Sequence, residues 1–311
     1  VVVGALGDVL AVEVGPGLAT GFCGRLLAGF GATVVKVETP GGDDARRARV
    51  VLGAPVPDPE RAPLFAYLGM GKRSVVVALD DPRLRRLIER ADLVVSALRP
   101  GDAAEAGLTW SSLAAANPGL VWIDLTPFGT TGPYAGWLAA NLNVFAAGGQ
   151  MSLTGEPDQA PLCSGGEQGL YQLGLAGFAS AVLALVARDR TGLGQSVELA
   201  AAEVMAGALE GFGPTAHHSG APTPRSGAQR FPLMGIYPCA DGHAGIFSMP
   251  RQAPILATLL GDPDLPQRMQ TSTPAELLKV ANELKAAIGA FFLARKRADV
   301  LSLARSTRLP M

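Results

Sequence analysis

Apolar and polar positions along this chain follow two rhythms. Short apolar runs of strand length lie at Val9–Val14, Thr33–Val37, Val75–Leu79, Leu93–Val95, Val121–Leu125 and Gln195–Leu199. Segments with helical spacing lie between or after them, at Leu18–Gly29, Pro82–Arg90, Gly107–Ala116, Leu138–Phe145 and Leu170–Ala187. A further helix begins near Ala200. Strand and helix alternate, which predicts an α/β fold with a mostly parallel sheet and ligands outside the carboxyl ends of its strands. The rhythm changes after Met205. Residues 211–232 are rich in Gly, Pro, Ser and His, the composition of a linker. Met234–Pro238 and His243–Phe247 then read as two strands across the turn Ala240-Asp241-Gly242. Helical segments follow at Ala253–Leu260, Pro274–Ala294 and Arg297–Arg305. The expected organisation is a large α/β domain over 1–210, a linker over 211–232 and a smaller α+β domain over 233–311.

The run Leu170–Ala187 is rich in Ala and Gly and carries one amide, Gln172. Small side chains let other backbones approach, so a central core helix is expected. A membrane span is the rival, and Gln172 and the lack of a second such run argue against it. A net charge of −1 over 311 residues argues against a dominant nucleic-acid partner. The three cysteines, Cys23, Cys163 and Cys239, share no metal-ligand spacing and read as reduced thiols of a cytoplasmic protein, with no metal expected. No signal peptide is visible. The first residue is Val1, so the sequence can be part of a longer chain.

The opening strand–turn–helix–strand–acid order outlines a βαβ unit. Gly15-x-Gly17-x-x-x-Gly21 fits a dinucleotide fingerprint poorly. Pro16 separates the first two glycines, the third is one position late, and Lys36 sits inside the second strand. The basic stretch 45–49 reads equally as a solvated face or a phosphate reader. His217-His218 reads as an exposed pair, since adjacent histidines on a helix or strand do not face one metal.

Several stretches together resemble the family III CoA-transferases, the carnitine dehydratase and bile-acid CoA-hydrolase type, which also includes α-methylacyl-CoA racemases. They are Val14-Gly15-Pro16, the run from Gly31 to Pro40 with Gly42-Asp43, Gly71-Lys72-Arg73-Ser74, and Ala91 to Val95. Then come Arg99-Pro100-Gly101 with Gly107-Leu108, Phe128-Gly129 with Gly132-Pro133-Tyr134, Gly148-Gly149, and Thr191-Gly192-x-Gly194-Gln195. Each is weak alone, and the specificity lies in their shared order and spacing from Val14 to about Met205. The resemblance implies a Rossmann-like large domain and an interlocked dimer. It implies an acyl-CoA and a free carboxylic acid as substrates, and CoA transfer between acids. The dimer is a homodimer, or a heterodimer with a homologous subunit. The CoA positions it implies are Val12, Glu13 and Val14, the loop Thr39–Arg46, Val77, Ala78 and Leu79, and Ala97, Leu98 and Arg99. Arg46, Lys72, Arg73 and Arg99 suit the phosphates of CoA chemically, by bidentate guanidinium pairing or as an ammonium point charge.

The sequence departs from the family at the chemistry. Counting back from Thr191, the family aspartate, a nucleophile in transferases and an acid/base in racemases, falls on Leu170. The racemase histidine falls near Ala140, with Asn141 beside it, and a further family arginine is Glu105. Three readings stay open. Glu167, nearly one helical turn before Leu170, substitutes as the carboxylate, with Glu13 a second acid toward CoA. Alternatively, the chain is a catalytically silent subunit. In the third reading it runs other acyl-CoA chemistry, isomerisation, racemisation or hydrolysis, with Cys163 or Tyr171 involved. The acyl pocket is expected at Phe145, Met151, Leu153 and Leu170, which suggests an apolar acyl group. Family chains usually continue past the small domain and return to the large one; here either the return is missing, with a partner chain to supply the cover, or it lies outside this sequence.

Overall fold

The structure is a computed structural model that describes residues 4–47, 60, 62–231, 233–271 and 274–311. It divides into two compact units. The first comprises residues 1–151 and 163–222, the second 152–162 and 223–311.

The first unit opens with β1 (Leu10–Val14), α1 (Leu18–Gly29), β2 (Thr33–Glu38), α2 (Pro63–Gly69) and β3 (Arg73–Val76). It continues with α3 (Pro82–Ile88), β4 (Leu93–Ser96), α4 (Pro100–Glu105), α5 (Trp110–Leu113) and β5 (Val121–Thr126). It closes with α6 (Asn141–Ala147), α7 (Gln168–Thr191), β6 (Ser196–Ala200), α8 (Ala201–Gly207) and α9 (Phe212–Ser219). All strand pairs are parallel, in the order β3-β2-β1-β4-β5-β6. This is the doubly wound order of dinucleotide folds, and the α/β expectation holds.

Strand alternation sends side chains to two cores. On one face Ala11, Val34, Val95, Ile123 and Leu125 pack against Cys23 and Leu27 of α1 and Leu173, Ala181 and Leu185 of α7. On the other, Val12, Val14, Val94 and Trp122 meet Leu84 and Ile88 of α3, Ala103 of α4 and Leu113 of α5. The α1–α7 contact depends on missing side chains. A Cβ on Gly174 would lie 2.6 Å from the Ala19 carbonyl oxygen, and one on Gly177 would lie 2.9 Å from Leu125 Cδ2. The helix α7 is long and apolar enough to cross a membrane. Here one face packs on α1, β5, β6, α6 and α8, while Leu175, Leu183 and Val186 on the helix stay exposed.

Three local expectations shift. The third strand was expected at Val75–Leu79 and forms at Arg73–Val76, because Val35 of β2 pairs with Arg73. The loop expected at Arg99-Pro100-Gly101 starts α4, with Pro100 at its first position, where no amide proton is needed. The helix expected over Gly107–Ala116 shortens to α5. Gly107 turns with φ 65°, and Thr109 caps the helix through the Ser112 amide.

The second unit holds the antiparallel sheet β7 (Gln229–Phe231), β8 (Met234–Cys239) and β9 (Gly242–Phe247). Helices α10 (Ala253–Leu260), α11 (Leu265–Thr271), α12 (Pro274–Leu293) and α13 (Arg297–Thr307) follow. Tyr237 and Phe292 stack at 5.5 Å in its core beside Ile246, Leu256 and Val300. Arg225 donates to the Gln159 carbonyl at 2.9 Å, and the Ala228 amide donates to Glu156, which ties 152–162 to this unit. The stretch 211–232 thus carries α9 and an edge strand.

The small-residue contact predicts a contrast in urea unfolding. Gly174→Val should lower stability by about 1–3 kcal/mol through overpacking. Gly29→Ala, whose Cβ meets nothing within 4 Å, should be neutral or stabilising by up to about 1 kcal/mol. A Gly174→Val protein as stable as wild type would mean that α1 and α7 do not touch there.

Candidate functional site

A crevice opens where the strand order reverses, between β1 and β4. The loops after these strands touch. Gly15 has φ 92°, and a Cβ there would lie 3.0 Å from the Ala97 carbonyl carbon. Gly17 has φ 121°, faces open space, and leads into α1, whose N-terminus has no side-chain cap. The crevice is a cleft of about 500 Å³ within the first unit. Pro16, Gly17, Leu18 and Ala19 form one wall, and Ala97, Leu98 and Arg99 another. Leu125, Thr126 and Pro127 form its floor, while Trp137 and Leu138 stand on the connecting loop before α6. Val144, Leu170, Leu173 and Ala201 complete it. Its charged side chains are Asp44, Arg99 and Asp102, and Arg99 binds Asp102 at 2.8 and 3.1 Å.

Beside the cleft, two ion-pair locks hold its borders. Glu13 and Lys36 are register partners on β1 and β2, so their side chains share a face. Lys36 Nζ lies 2.7 Å from Glu13 Oε1 and 2.7 Å from Asp43 Oδ2. Lys72 Nζ lies 2.5 Å from Glu13 Oε2 and donates to the Gly21 carbonyl at 2.6 Å. Burial pushes the Glu13 carboxyl up, but Lys36 and Lys72 outweigh it and hold the group below its ordinary range. Burial likewise pulls Lys36 down, and Glu13 and Asp43 together raise it above its ordinary value. In the second lock, Arg46 forks onto Glu38 at 2.6 and 2.7 Å and stacks over Phe65 at 3.6 Å. Its third nitrogen meets Glu60. Glu38 also accepts from Ser74 and from the Asp43 amide. The Arg46 hydrogen bonds lower the Glu38 pKa to about 2.

The positions expected at CoA therefore separate. Ala97, Leu98 and Arg99 line the cleft. Val12, Glu13 and Val14 are each fully buried within β1, and the cleft begins just beyond them, at Pro16. Val77 is buried, and Ala78 and Leu79 are half-buried after β3. The Lys72 ammonium is withdrawn onto Glu13, the Arg46 guanidinium is held by Glu38, and Arg73 is exposed. Of the expected acyl wall, Leu170 lines the cleft. Phe145 is buried in the core instead, and Leu153 belongs to the second unit.

Asn141, at the start of α6, positions Leu170. Its Oδ1 accepts from the Gly169 amide at 2.8 Å, and its Nδ2 donates to the Gly166 carbonyl at 3.2 Å and to Cys163 Sγ at 3.3 Å. The first turn of α7 is thereby pinned to α6. Sequence reading noted Asn141 only as a neighbour of Ala140, and found neither Trp137 nor Leu138. A capping-type asparagine opening a helix was the available signal for the first. Glu167 is exposed at the N-cap of α7, and its side chain caps nothing there. Tyr171 packs edge-on against Phe22 at 4.9 Å. Burial, together with the Glu13 charge, pushes the Cys23 thiol far up, so it is no thiolate nucleophile. His217 and His218 are exposed on α9. Among the described residues, no group of three or more His, Cys, Asp or Glu is placed to hold a metal.

The profile of CoA-transferase family III matches residues 6–311. The succinyl-CoA–D-citramalate CoA-transferase of Chloroflexus aurantiacus is 35% identical over 246 residues, 76% of this chain and 60% of that protein. Subunit BbsE of the succinyl-CoA:(R)-benzylsuccinate CoA-transferase of Thauera aromatica is 30% identical over 76% of this chain and 57% of its own length. The chain thus spans about three fifths of these relatives. The crystal structure of a CAIB/BAIF family protein from Brucella suis superposes with a TM-score of 0.81 at 31% identity, covering 99% of this chain and 83% of that one.

The two locks make separate predictions. Glu13→Gln leaves the buried Lys72 ammonium without its counter-charge, while Lys36 keeps Asp43, and should cost about 3–5 kcal/mol in urea unfolding at pH 7. A loss under about 1 kcal/mol would mean that the cluster is open to water. Glu38 has its folded pKa lowered from 4.5 to about 2. Its stabilisation, on the order of 3 kcal/mol, is present above pH 4.5 and is lost as pH falls toward 2. Glu38→Gln should flatten the stability curve across that window, and an unchanged acid slope would contradict the assignment.

Proposed function

This chain belongs to CoA-transferase family III, and we propose that it binds an acyl-CoA in the switch-point cleft and transfers CoA between carboxylic acids, as a dimer in the cytoplasm. One observation carries the reading: Ala97, Leu98 and Arg99, the positions that the family pattern assigns to CoA, line the cleft beside the open glycine turn at Gly17. Arg99 and Arg73 are the exposed guanidinium groups suited to the phosphates. Lys72 and Arg46 act behind them, holding the loops through Glu13 and Glu38.

The reaction exchanges oxygen for sulfur at a carbonyl. A carboxylate attacks the thioester carbonyl, the C–S bond breaks, and CoA leaves as thiolate with a mixed anhydride formed. The thiolate then attacks the enzyme carboxyl carbon of the anhydride, which releases the donor acid and leaves an enzyme thioester. An acceptor carboxylate attacks that thioester and expels the thiolate, and thiolate attack on the acceptor carbonyl of this second anhydride gives the new acyl-CoA and frees the enzyme carboxylate. No net proton or electron is consumed. Leu170, held by the Asn141 clamp, cannot make that attack. Glu167, exposed at the N-cap one turn earlier and outside the cleft lining in this conformation, is the acid assigned to it here.

The cleft also favours a second reading. Among the described residues its carboxylates are Asp44 and Asp102, and neither stands on α7. In that reading this chain is a silent acyl-CoA-binding subunit, and a homologous partner supplies the aspartate. Interlocked pairing with a copy or a homologue serves either reading.

The test incubates the purified protein with acetyl-, succinyl- or propionyl-CoA and a pool of free acids, and seeks new thioesters by mass spectrometry. Exchange is expected, and Glu167→Gln should lower kcat by about 10²-fold or more. An unchanged kcat removes Glu167. Silent wild-type protein with exchange restored by Leu170→Asp supports the second reading. No exchange and no CoA-dependent rise in Tm would overturn both.

A further inference from the structure

The cleft wall says which acids it accepts. Its inner surface is Leu18, Leu125, Val144, Leu170 and Leu173. At its mouth, Trp137 is 59% exposed and Leu138 is 77% exposed. The Trp137 ring lies 4.6 Å from Tyr134 and edge-on to Phe128 at 6.4 Å, so neighbouring aromatic rings hold it at the rim. Large apolar groups left facing water beside a cleft gain stability when an apolar ligand covers them. Among the described residues that line the cleft, Arg99 is the one cation; it pairs with Asp102 at 2.8 and 3.1 Å and, in the reading above, serves the phosphates of CoA, which leaves the acyl group without a cation of its own. With Asp44, the charge of the lining is net negative.

We propose that the acyl group carried here comes from an apolar monocarboxylic acid, aromatic or branched aliphatic, and not from a dicarboxylic acid. The inference rests on the acyl-CoA reading above. A dicarboxylate brings a second charge into a cleft whose inner side chains are leucines and a valine, and where the Thr126 hydroxyl already donates to the Leu199 carbonyl. Removing a carboxylate from water without a paired cation is costly, and the two aspartates add repulsion. A branched or aryl chain covers the apolar side chains of the wall, which lose water favourably on contact. Trp137 and Leu138 then act as specificity residues that close over the chain end.

Isothermal titration with free CoA, 3-phenylpropanoyl-CoA, 4-methylpentanoyl-CoA and succinyl-CoA tests this. Both apolar thioesters should bind about tenfold or more tightly than free CoA, and succinyl-CoA no more tightly than free CoA. Trp137→Ala and Leu138→Ala should each remove most of that ratio, while Trp137→Phe keeps it. Succinyl-CoA binding as tightly as the apolar thioesters, or a ratio unchanged in both alanine variants, would overturn the inference. CoA binding without discrimination among acyl groups would defeat this inference alone. Failure of CoA and all its thioesters to bind would defeat the acyl-CoA reading, and this inference with it.

Discussion

The Glu13 carboxylate is withdrawn from water on β1, and accepts from Lys36 on the adjoining strand and from Lys72 at the approach to β3. Two oxygens thus join segments up to 59 residues apart. Burying such a charge is tolerable only with its partners in place, because an unpaired ion in the interior costs several kcal/mol. The partners carry the constraint outward. Lys36 holds Asp43, and Lys72 holds the Gly21 carbonyl of α1. Gly24 must lack a side chain, since its Cβ would lie 2.3 Å from Glu13 Oε2. The borders of the cleft at Pro16–Ala19 and at Asp44 are therefore fixed from behind by a charge cluster that never touches the cleft.

The same logic places α7. Its glycines let it press on α1 and β5, and Asn141 ties its first turn to α6. The residue that this geometry aims into the cleft is Leu170. A rigid scaffold that presents a leucine there shapes a binding wall with no nucleophile of its own at that point. The open question of chemistry thus narrows to the neighbourhood of one helical turn.

Much of this was legible in the sequence. The apolar runs of β1, β2, β4 and β5 announced a parallel sheet, and the small-residue run from Leu170 announced α7. Other features were not legible, for physical reasons. A sequence shows a cation but not what neutralises it. Lys72 and Arg46 look alike with Arg73 and Arg99 until Glu13 and Glu38 are seen beside the first two. The strand near Val75 was set by pairing with β2 and not by its own apolar run. Trp137 and Leu138 sit on the segment before α6; helical spacing placed Leu138 inside a helix from Leu138 to Phe145, but the helix starts at Asn141 and leaves both side chains at the rim. Asn141 acts across 28 residues on the Gly169 amide, a contact that only the fold supplies.

The central claim is that CoA occupies the crevice between the loops after β1 and β4. Hydrogen–deuterium exchange of the protein with and without CoA tests it most directly. The account predicts slowed exchange at Gly15–Ala19 and Ala97–Asp102, with little change in α12 and α13. Unchanged exchange in both loops at saturating CoA, or protection confined to other segments, would contradict it.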